Sequence, residues 1–175
     1  MHNIWSRANA VFAFFLSVLS VMIFAVFIST IHLPNSTDVV ISADNVRVKD
    51  VMDYASGGRS DAARMDLSVQ VDLTSIFNWN VKQVFLYLVV EYATALNKVV
   101  VWDKIVKRQD WRNIHELHVM PKYYLMDDGR HLLNHPNATL VLRWNIIPNA
   151  GYLALAQGVG QHIIKFPTSY YSGRF

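Results

Sequence analysis

The stretch that decides the fold is Asn78–Tyr92, NWNVKQVFLYLVVEY, which is apolar from Val84 onward except at Glu91. In Val81–Tyr92, apolar side chains occur at both odd- and even-numbered positions, so they would face both sides of a strand. β-Branched and aromatic residues dominate this segment, which favours a strand over a helix. The run is also too short for a membrane-spanning helix, which needs about 20 apolar residues. The pattern therefore predicts a central strand covered on both faces, with Glu91 reaching water, a hydrogen-bond partner or a cation.

Strand patterns continue on both sides of this run. Met65–Thr74 alternates apolar and polar residues, which is typical of a half-buried strand. Lys98–Val106 is close enough to Tyr92 to complete a hairpin through the turn Ala93–Asn97. Further strands are predicted within Asp38–Val51 (one or two), Leu117–Met126, Ala138–Ile147, 152–156 and 162–166, with loops or turns at 54–62, 127–130 and 148–151. About seven to nine short strands without a helical period predict an all-β domain, an antiparallel β-sandwich.

The other informative segment is Ala10–Ile31, AVFAFFLSVLSVMIFAVFISTI, which has no charged residue. As a helix it is roughly 33 Å long, enough to cross a hydrocarbon core of about 30 Å. Ser17, Ser20 and Ser29 can bond back to helix carbonyls. A cleaved signal peptide is the alternative, but its apolar core is usually about 7–15 residues and ends at small residues. The sequence thus predicts a short N-terminal segment 1–9, an uncleaved transmembrane anchor 10–31 and a domain 32–175.

Two Asn-x-Ser/Thr sequons, at Asn35 and Asn137, bear on orientation. The Lys and Arg residues that flank the apolar run do not decide it. Sequons after an anchor indicate that the domain lies in the lumen, where such sites are glycosylated. Asn35 is only four residues beyond Ile31, too close to the bilayer for modification. Asn137 is the predicted glycosylation site.

Composition and motifs exclude several function classes. The net charge is +3, and the basic residues form no stripe and no nucleic-acid-binding motif, so no nucleic-acid partner is predicted. Cysteine is absent, so the domain is held by a core and not by disulfides. Neither a Gly-x-Ser-x-Gly nor a Ser-x-x-Lys motif stands out, and HELH at His115–His118 lacks the spacing of a zinc motif. We predict no catalytic residue, no metal and no cofactor.

Tryptophan raises the question of a binding surface. Trp79 lies between Asn78 and Asn80, immediately before the central strand. Such a residue can fill the core or anchor a partner, and the residues leave both open. Phe77, Trp79 and Asn80 are therefore the candidate partner contacts.

Several long segments of this chain resemble one family. They are Phe77–Tyr92 (FNWNVKQVFLYLVVEY), Ala95–Val106 (ALNKVVVWDKIV), Lys122–Gly129 (KYYLMDDG), Trp144–Gly151 (WNIIPNAG) and Ser6–Phe14 (SRANAVFAF). Together they are similar to subunit 3 of the eukaryotic signal peptidase complex, in the same order and over nearly the whole chain. The similarity is weakest at 54–63, 107–116 and the carboxyl end.

The resemblance implies a single-pass protein of the endoplasmic reticulum membrane with a cytosolic N-terminus and a lumenal β-sandwich. It implies a non-catalytic accessory subunit of a serine-type signal peptidase, a glycoprotein whose sequon matches Asn137. Its implied partners are the catalytic subunit, other membrane subunits and the lipid bilayer, with transient proximity to signal peptides and the translocon. The residues leave two other classes open: a type II membrane enzyme, disfavoured by size and missing motifs, and a cell-surface adhesion domain.

Overall fold

The computed structural model describes residues 3–52, 57–92, 97–127, 130–133 and 137–174. These form one N-terminal helix and two antiparallel β-sheets. The elements are α1 (Ile4–Thr30), β1 (Val39–Met52), β2 (Arg59–Asp72), β3 (Val81–Tyr92), β4 (Lys98–Lys107), β5 (Asn113–Val119), β6 (Leu125–Asp127), β7 (Ala138–Pro148), β8 (Ala154–Gln157) and β9 (His162–Ile164).

Helix α1 begins before the apolar run because Asn3 caps it, accepting the N–H of Trp5 at 3.3 Å. The hydroxyls of Ser17, Ser20 and Ser29 donate to carbonyls three or four residues earlier, as predicted. These bonds satisfy the three serine hydroxyls within the apolar run. The helix is long and apolar enough to cross a membrane, and none of its described side chains is fully buried in the protein.

The two sheets pack face to face as the predicted β-sandwich. The first sheet has the order β1-β2-β5, with β6 pairing the other half of β2. The second has the order β4-β3-β7-β8, with β9 pairing the other half of β7. Strand β3 is central, as predicted, and its inward side chains are fully buried: Val84, Leu86, Leu88 and Val90. Its outer face is less covered than predicted, because Phe85 and Tyr87 are only half-buried.

Two sequence predictions were wrong in detail. The strand predicted over Leu117–Met126 is divided between β5 and β6. Pro121 has no N–H to give to a sheet, and the chain leaves β2 around it, where Lys122 and Tyr123 donate to the Val101 carbonyl, before it returns to β2 at Leu125. Strand β2 begins at Arg59, inside the predicted loop 54–62, where small residues such as Ala62 and Ala63 face the interior and hide the alternation. Most of the predicted turns 93–97 and 127–130 lies outside the described residues.

The core between the sheets holds two of the tryptophans, Trp102 and Trp144, both buried. At one margin of the sandwich an ion pair links the sheets, since Lys104 on β4 lies 2.5 Å from Glu116 on β5. Both side chains are partly exposed, so the pair contributes little free energy and chiefly fixes the alignment of the two edges.

Candidate functional site at the helix–sandwich joint

The last turn of α1 is joined to the sandwich through Asn80, the residue before β3. Asn80 is only 3% exposed. Its side-chain amide donates to the Thr30 hydroxyl at 3.2 Å and to the Ala150 carbonyl at 2.8 Å. Its Oδ1 accepts the Ala150 N–H at 3.0 Å, and its carbonyl accepts the Asn149 N–H at 2.7 Å. Every polar atom of the side chain therefore has a partner, as a buried amide requires.

An apolar contact lies beside this hydrogen-bonded group. Phe27 is three residues before Thr30 and so faces the same side of α1. Its ring meets the Tyr152 ring edge-on, with 5.8 Å between centroids. Gly151 has φ +118°, and a Cβ there would be 2.9 Å from Cδ2 of Phe27. Both its backbone conformation and the approach of Phe27 require glycine at this position.

The segment that leaves α1 is also fastened to the sandwich. The carbonyl of Asn35 accepts the indole N–H of the buried Trp144 at 2.9 Å. Two residues later, the Thr37 carbonyl accepts the Val159 N–H at 2.9 Å, and the Val39 N–H donates to the Val159 carbonyl at 3.1 Å. We call these contacts, together with those of Asn80 and Phe27, the joint. They hold the helix end and the first strand on one side of the sandwich.

The outer faces of the two sheets differ in chemistry. On the second sheet, cross-strand neighbours Phe85 and Ile105 point outward, and the Phe85 and Tyr87 rings stack with 5.6 Å between centroids. Further apolar side chains on this face are Val100, Leu155 and Ile163, which are exposed, and Val89 and Val141, which are buried. On the first sheet the outward positions of the β1–β2 ladder are mostly polar, among them Ser42, Asp44, Asp66, Ser68 and Gln70.

Polar groups also occur on the outer face of the second sheet, among them Glu91 and Asn145. Glu91 meets both Arg143, at 2.5 Å, and Lys98, at 3.4 Å, so of the three predicted alternatives (water, a hydrogen-bond partner or a cation) the structure shows cations. The side-chain oxygen of Asn145 is buried and has no hydrogen-bond partner among the described residues. An acceptor of this kind is costly to leave unpaired, and a donor from another molecule would satisfy it.

The end of the sandwich opposite the joint contains two buried carboxylates, Asp61 and Asp127, on paired strands. The hydroxyl of Tyr170 donates to Asp61 at 3.0 Å, and that of Tyr92 donates to Asp127 at 2.9 Å. The His131 N–H also donates to Asp127, at 2.7 Å. The carboxylates thus tie down a loop and the C-terminal segment. Within the described ranges, no group of three or more His, Asp or Glu residues could hold a metal ion.

Hydrogen bonding at this far end perturbs the pKa of several surface groups. The hydrogen bond from Arg59, with one of its distances 2.8 Å, lowers the pKa of Asp50 below its ordinary value. A hydrogen bond with the Tyr170 hydroxyl raises the pKa of Arg130. Both pairs are exposed to solvent, so they fix local geometry and give no acid or base suited to catalysis.

The structure separates the predicted site residues. Phe77 is buried, with the Arg112 guanidinium over its ring at 5.4 Å, and Asn80 is buried in the joint. Trp79 is exposed, so of the three candidate contacts it is the one whose side chain can reach a partner.

Asn137 is exposed and immediately precedes β7. His115 and His118 are both exposed on β5, and His118 has φ +50° at an irregularity in the pairing with β2.

Sequence reasoning missed most of the joint. It predicted the turn 148–151 but not that Asn149, Ala150 and Gly151 would meet the end of α1. The signal present in the sequence was weak: asparagines on both sides of Trp79, and Pro-Asn-Ala-Gly after β7. Neither motif predicts which residues from distant parts of the chain it will contact.

Comparison with known proteins gives a single family. The family described as "Signal peptidase subunit" matches residues 1–169. Signal peptidase complex subunit 3 of Caenorhabditis elegans is 46% identical to this chain over 178 residues, 99% of each protein. The proteins of the same name from Drosophila melanogaster and Homo sapiens are 47% and 42% identical over 174 residues, 97% of each chain. The chain therefore belongs to the signal peptidase complex subunit 3 family.

Proposed function

We propose that this protein is a non-catalytic accessory subunit of the signal peptidase complex in the endoplasmic reticulum membrane. Its N-terminus is cytosolic, α1 is its single membrane span, and the sandwich lies in the lumen. Its role is to position the catalytic subunit for removal of signal peptides from nascent secretory and membrane proteins. Family membership and the apolar helix support this proposal.

The observation that carries the positioning role is the joint. A domain on a free linker samples many heights and tilts above a bilayer. Here Asn80 bonds to Thr30, Trp144 bonds to Asn35, and Phe27 packs against Tyr152. These contacts restrain the sandwich relative to the helix. Such restraint raises the effective concentration of its surfaces for a partner anchored in the same membrane.

The outer face of the second sheet is the surface that we assign to the catalytic subunit. It is the more apolar of the two faces, and it holds the unpaired acceptor of Asn145. Strand β3 starts at the joint and runs to the far end of the sandwich, so this face extends along the whole domain. A neighbouring lumenal domain with an apolar surface and one donor would bury the face and satisfy Asn145.

Purification of the tagged full chain in a mild detergent tests membership of the complex. We expect the catalytic subunit to be recovered in equal amount and signal-peptide cleavage to depend on it. Recovery of this chain alone would contradict the assignment. Cleavage by the isolated chain would contradict the non-catalytic role.

The positioning role needs a separate test. We expect the variant carrying both Phe27→Ala and Asn80→Ala to remain in the complex but to lower kcat for signal-peptide cleavage. The matched control is Gln70→Ala, an exposed position on the outer face of the first sheet that is not one of the joint residues. Full kcat in the complex with the double variant would refute positioning through the joint, without affecting membership.

A further inference from the structure

Large apolar side chains are exposed at the end of the sandwich that carries the joint. They lie on three loops, between β2 and β3, between β4 and β5, and between β7 and β8. Trp111 is 88% exposed, and the other members are Trp79, Tyr152 and Leu153. We call these four residues the rim. Exposing such a set is unfavourable in water, so something apolar is expected to cover it.

The depth of the rim follows from the contact between Phe27 and Tyr152. Phe27 precedes Thr30 by three residues, so it lies about 4.5 Å further back along the helix axis. The apolar run of α1 continues to Ile31. Tyr152 therefore lies level with the last turn of the apolar helix. If α1 spans a bilayer, the Tyr152 ring lies at the boundary between hydrocarbon and headgroups.

The two tryptophans are held near the same level. Trp79 is adjacent to Asn80, which is bonded to Thr30 at the helix end. The loop that carries Trp111 is fastened to the first residue of β3, since Arg108 donates to the Val81 carbonyl at 2.9 Å. The loops are thus placed by protein contacts, while their aromatic side chains remain exposed.

Basic residues lie at the same end of the sandwich as the rim. Lys82, Lys107 and Arg108 are exposed at this end. The acids here are Asp110, which accepts the Lys107 N–H, and Asp72, which accepts from Thr74. Trp and Tyr rings favour the interface between hydrocarbon and water, and Lys and Arg favour lipid phosphates. The side chains at this end match a lipid surface better than an aqueous one.

We propose that the rim lies in the headgroup layer of the leaflet from which α1 emerges, so that the sandwich rests on the bilayer through Trp79, Trp111 and Tyr152. The helix fixes the height of the domain, and the rim adds contacts away from the helix axis that limit its tilt. This inference requires only that α1 spans a bilayer. It does not depend on which subunits bind the sandwich.

Absence of cysteine from the chain allows a direct test with single labelled cysteines. The full chain is reconstituted alone in vesicles of phosphatidylcholine and phosphatidylinositol, with a nitroxide at Trp79→Cys, Trp111→Cys or Tyr152→Cys. The control is Met52→Cys at the far end of β1, which is 61% exposed against 58% for Trp79. A label at Val18→Cys, within α1, marks the bilayer interior. Power saturation with oxygen and with a water-soluble nickel complex reports the depth of each label.

We expect the rim labels to collide more with oxygen and several-fold less with nickel than the label at residue 52. Nickel accessibility equal to that of residue 52 at positions 79 and 111 would overturn the proposal. Those two positions suffice, because their side chains are exposed and their replacement leaves the joint intact, whereas Tyr152 contacts Phe27. If the label at residue 18 is itself accessible to nickel, α1 does not span the bilayer, and the proposal fails together with the membrane anchor. Loss of co-purification of the catalytic subunit would affect only the proposed function.

Discussion

Asn80 and Ala150 form a reciprocal pair in which a side chain takes the place of a neighbouring strand. The Asn80 amide donates to the Ala150 carbonyl at 2.8 Å, and the Ala150 N–H donates back to Asn80 Oδ1 at 3.0 Å. The main chain of Ala150 thereby obtains both of its hydrogen bonds from one residue. The remaining amide hydrogen of Asn80 reaches Thr30, so the same group that completes the turn also holds the helix.

Removing this amide should destabilise the protein. In Asn80→Ala, the N–H and carbonyl of Ala150 lose their partners in a partly buried place, which we expect to cost about 2–3 kcal/mol. For a domain of this size that corresponds to a fall in Tm of about 5–10 °C. Thermal unfolding of the full chain in detergent measures it. Gln70→Ala should change Tm by no more than about 2 °C. If Asn80→Ala and Gln70→Ala lower Tm equally, the hydrogen bonds of Asn80 do not contribute specially to stability.

The sequence predicted the elements of this fold better than it predicted their contacts. Strand β3 was predicted and observed with the same bounds, Val81–Tyr92, because an apolar run on both faces is a local signal. The start of β2 was missed since Ser60, Ala62 and Ala63 are small, and burial of a small residue leaves little trace in a hydropathy pattern. The joint brings Asn80 into contact with Thr30, which is 50 positions away in the sequence, and with Ala150, which is 70 positions away. No local sequence pattern encodes contacts between residues so far apart. Exposure of Trp79 likewise depended on how three loops meet.

Gly151 and Phe27 should be energetically coupled. In Gly151→Ala the new Cβ meets Phe27 at 2.9 Å and the backbone is strained at φ +118°. Strain remains whatever the neighbour is, but the clash is removed in a Phe27→Ala background. We expect the two substitutions to be non-additive, with Gly151→Ala costing about 1 kcal/mol less in that background. Thermal unfolding of the four proteins of the cycle measures the coupling.

Gly57→Ala is the control for strain without a clash, since Gly57 has φ +69° and a Cβ added there would have no atom within 4 Å. Its cost should be the same with and without Phe27. Equal costs for Gly151→Ala in both backgrounds would show that Phe27 does not press on Gly151.

Glycosylation should occur at Asn137 and not at Asn35. Asn137 is exposed beside Ala138, which pairs with Tyr92 at the end of β3 away from the joint. A strand of 12 residues is roughly 36 Å long, so Asn137 stands well clear of the helix end. Asn35 lies five residues after Thr30, within the fastened segment. Expressed in microsomes, Asn137→Gln should lose the endoglycosidase-sensitive mobility shift. Asn35→Gln should keep it, and a shift that survives loss of Asn137 would contradict the assignment.

Asp72 should make stability depend on pH in the acid range. Its carboxylate accepts the hydroxyl and the N–H of Thr74 at 2.6 and 2.9 Å, and these bonds lower its pKa from the ordinary 3.8. A lowered pKa in the folded state gives stability above about pH 4, which is lost as pH falls through the folded-state value. Asp72→Asn should therefore have a lower Tm than the wild type at pH 7, and the difference should shrink below pH 4.

Thr74→Ala is the companion variant, because it removes the hydroxyl donor and keeps the carboxylate. The pKa of Asp72 should then move back toward 3.8, and the loss of stability on acidification should begin at higher pH than in the wild type. A Tm difference between wild type and Asp72→Asn that stays constant from pH 7 to pH 3 would show that Thr74 does not stabilise the ionised carboxylate.

A charge on the outer face of the second sheet should separate this protein from its catalytic partner. Leu155 is 71% exposed in the chain alone, and Val40 on the first sheet is 67% exposed. Glutamate at either position remains in water in the free protein, so neither change should alter Tm appreciably. In a complex that buries the second sheet, Leu155→Glu places an unpaired carboxylate in an apolar interface, which costs several kcal/mol. We expect at least a tenfold loss of co-purified catalytic subunit with Leu155→Glu, and none with Val40→Glu. The opposite result would assign the interface to the first sheet, and equal recovery with both variants would exclude both faces as the main contact.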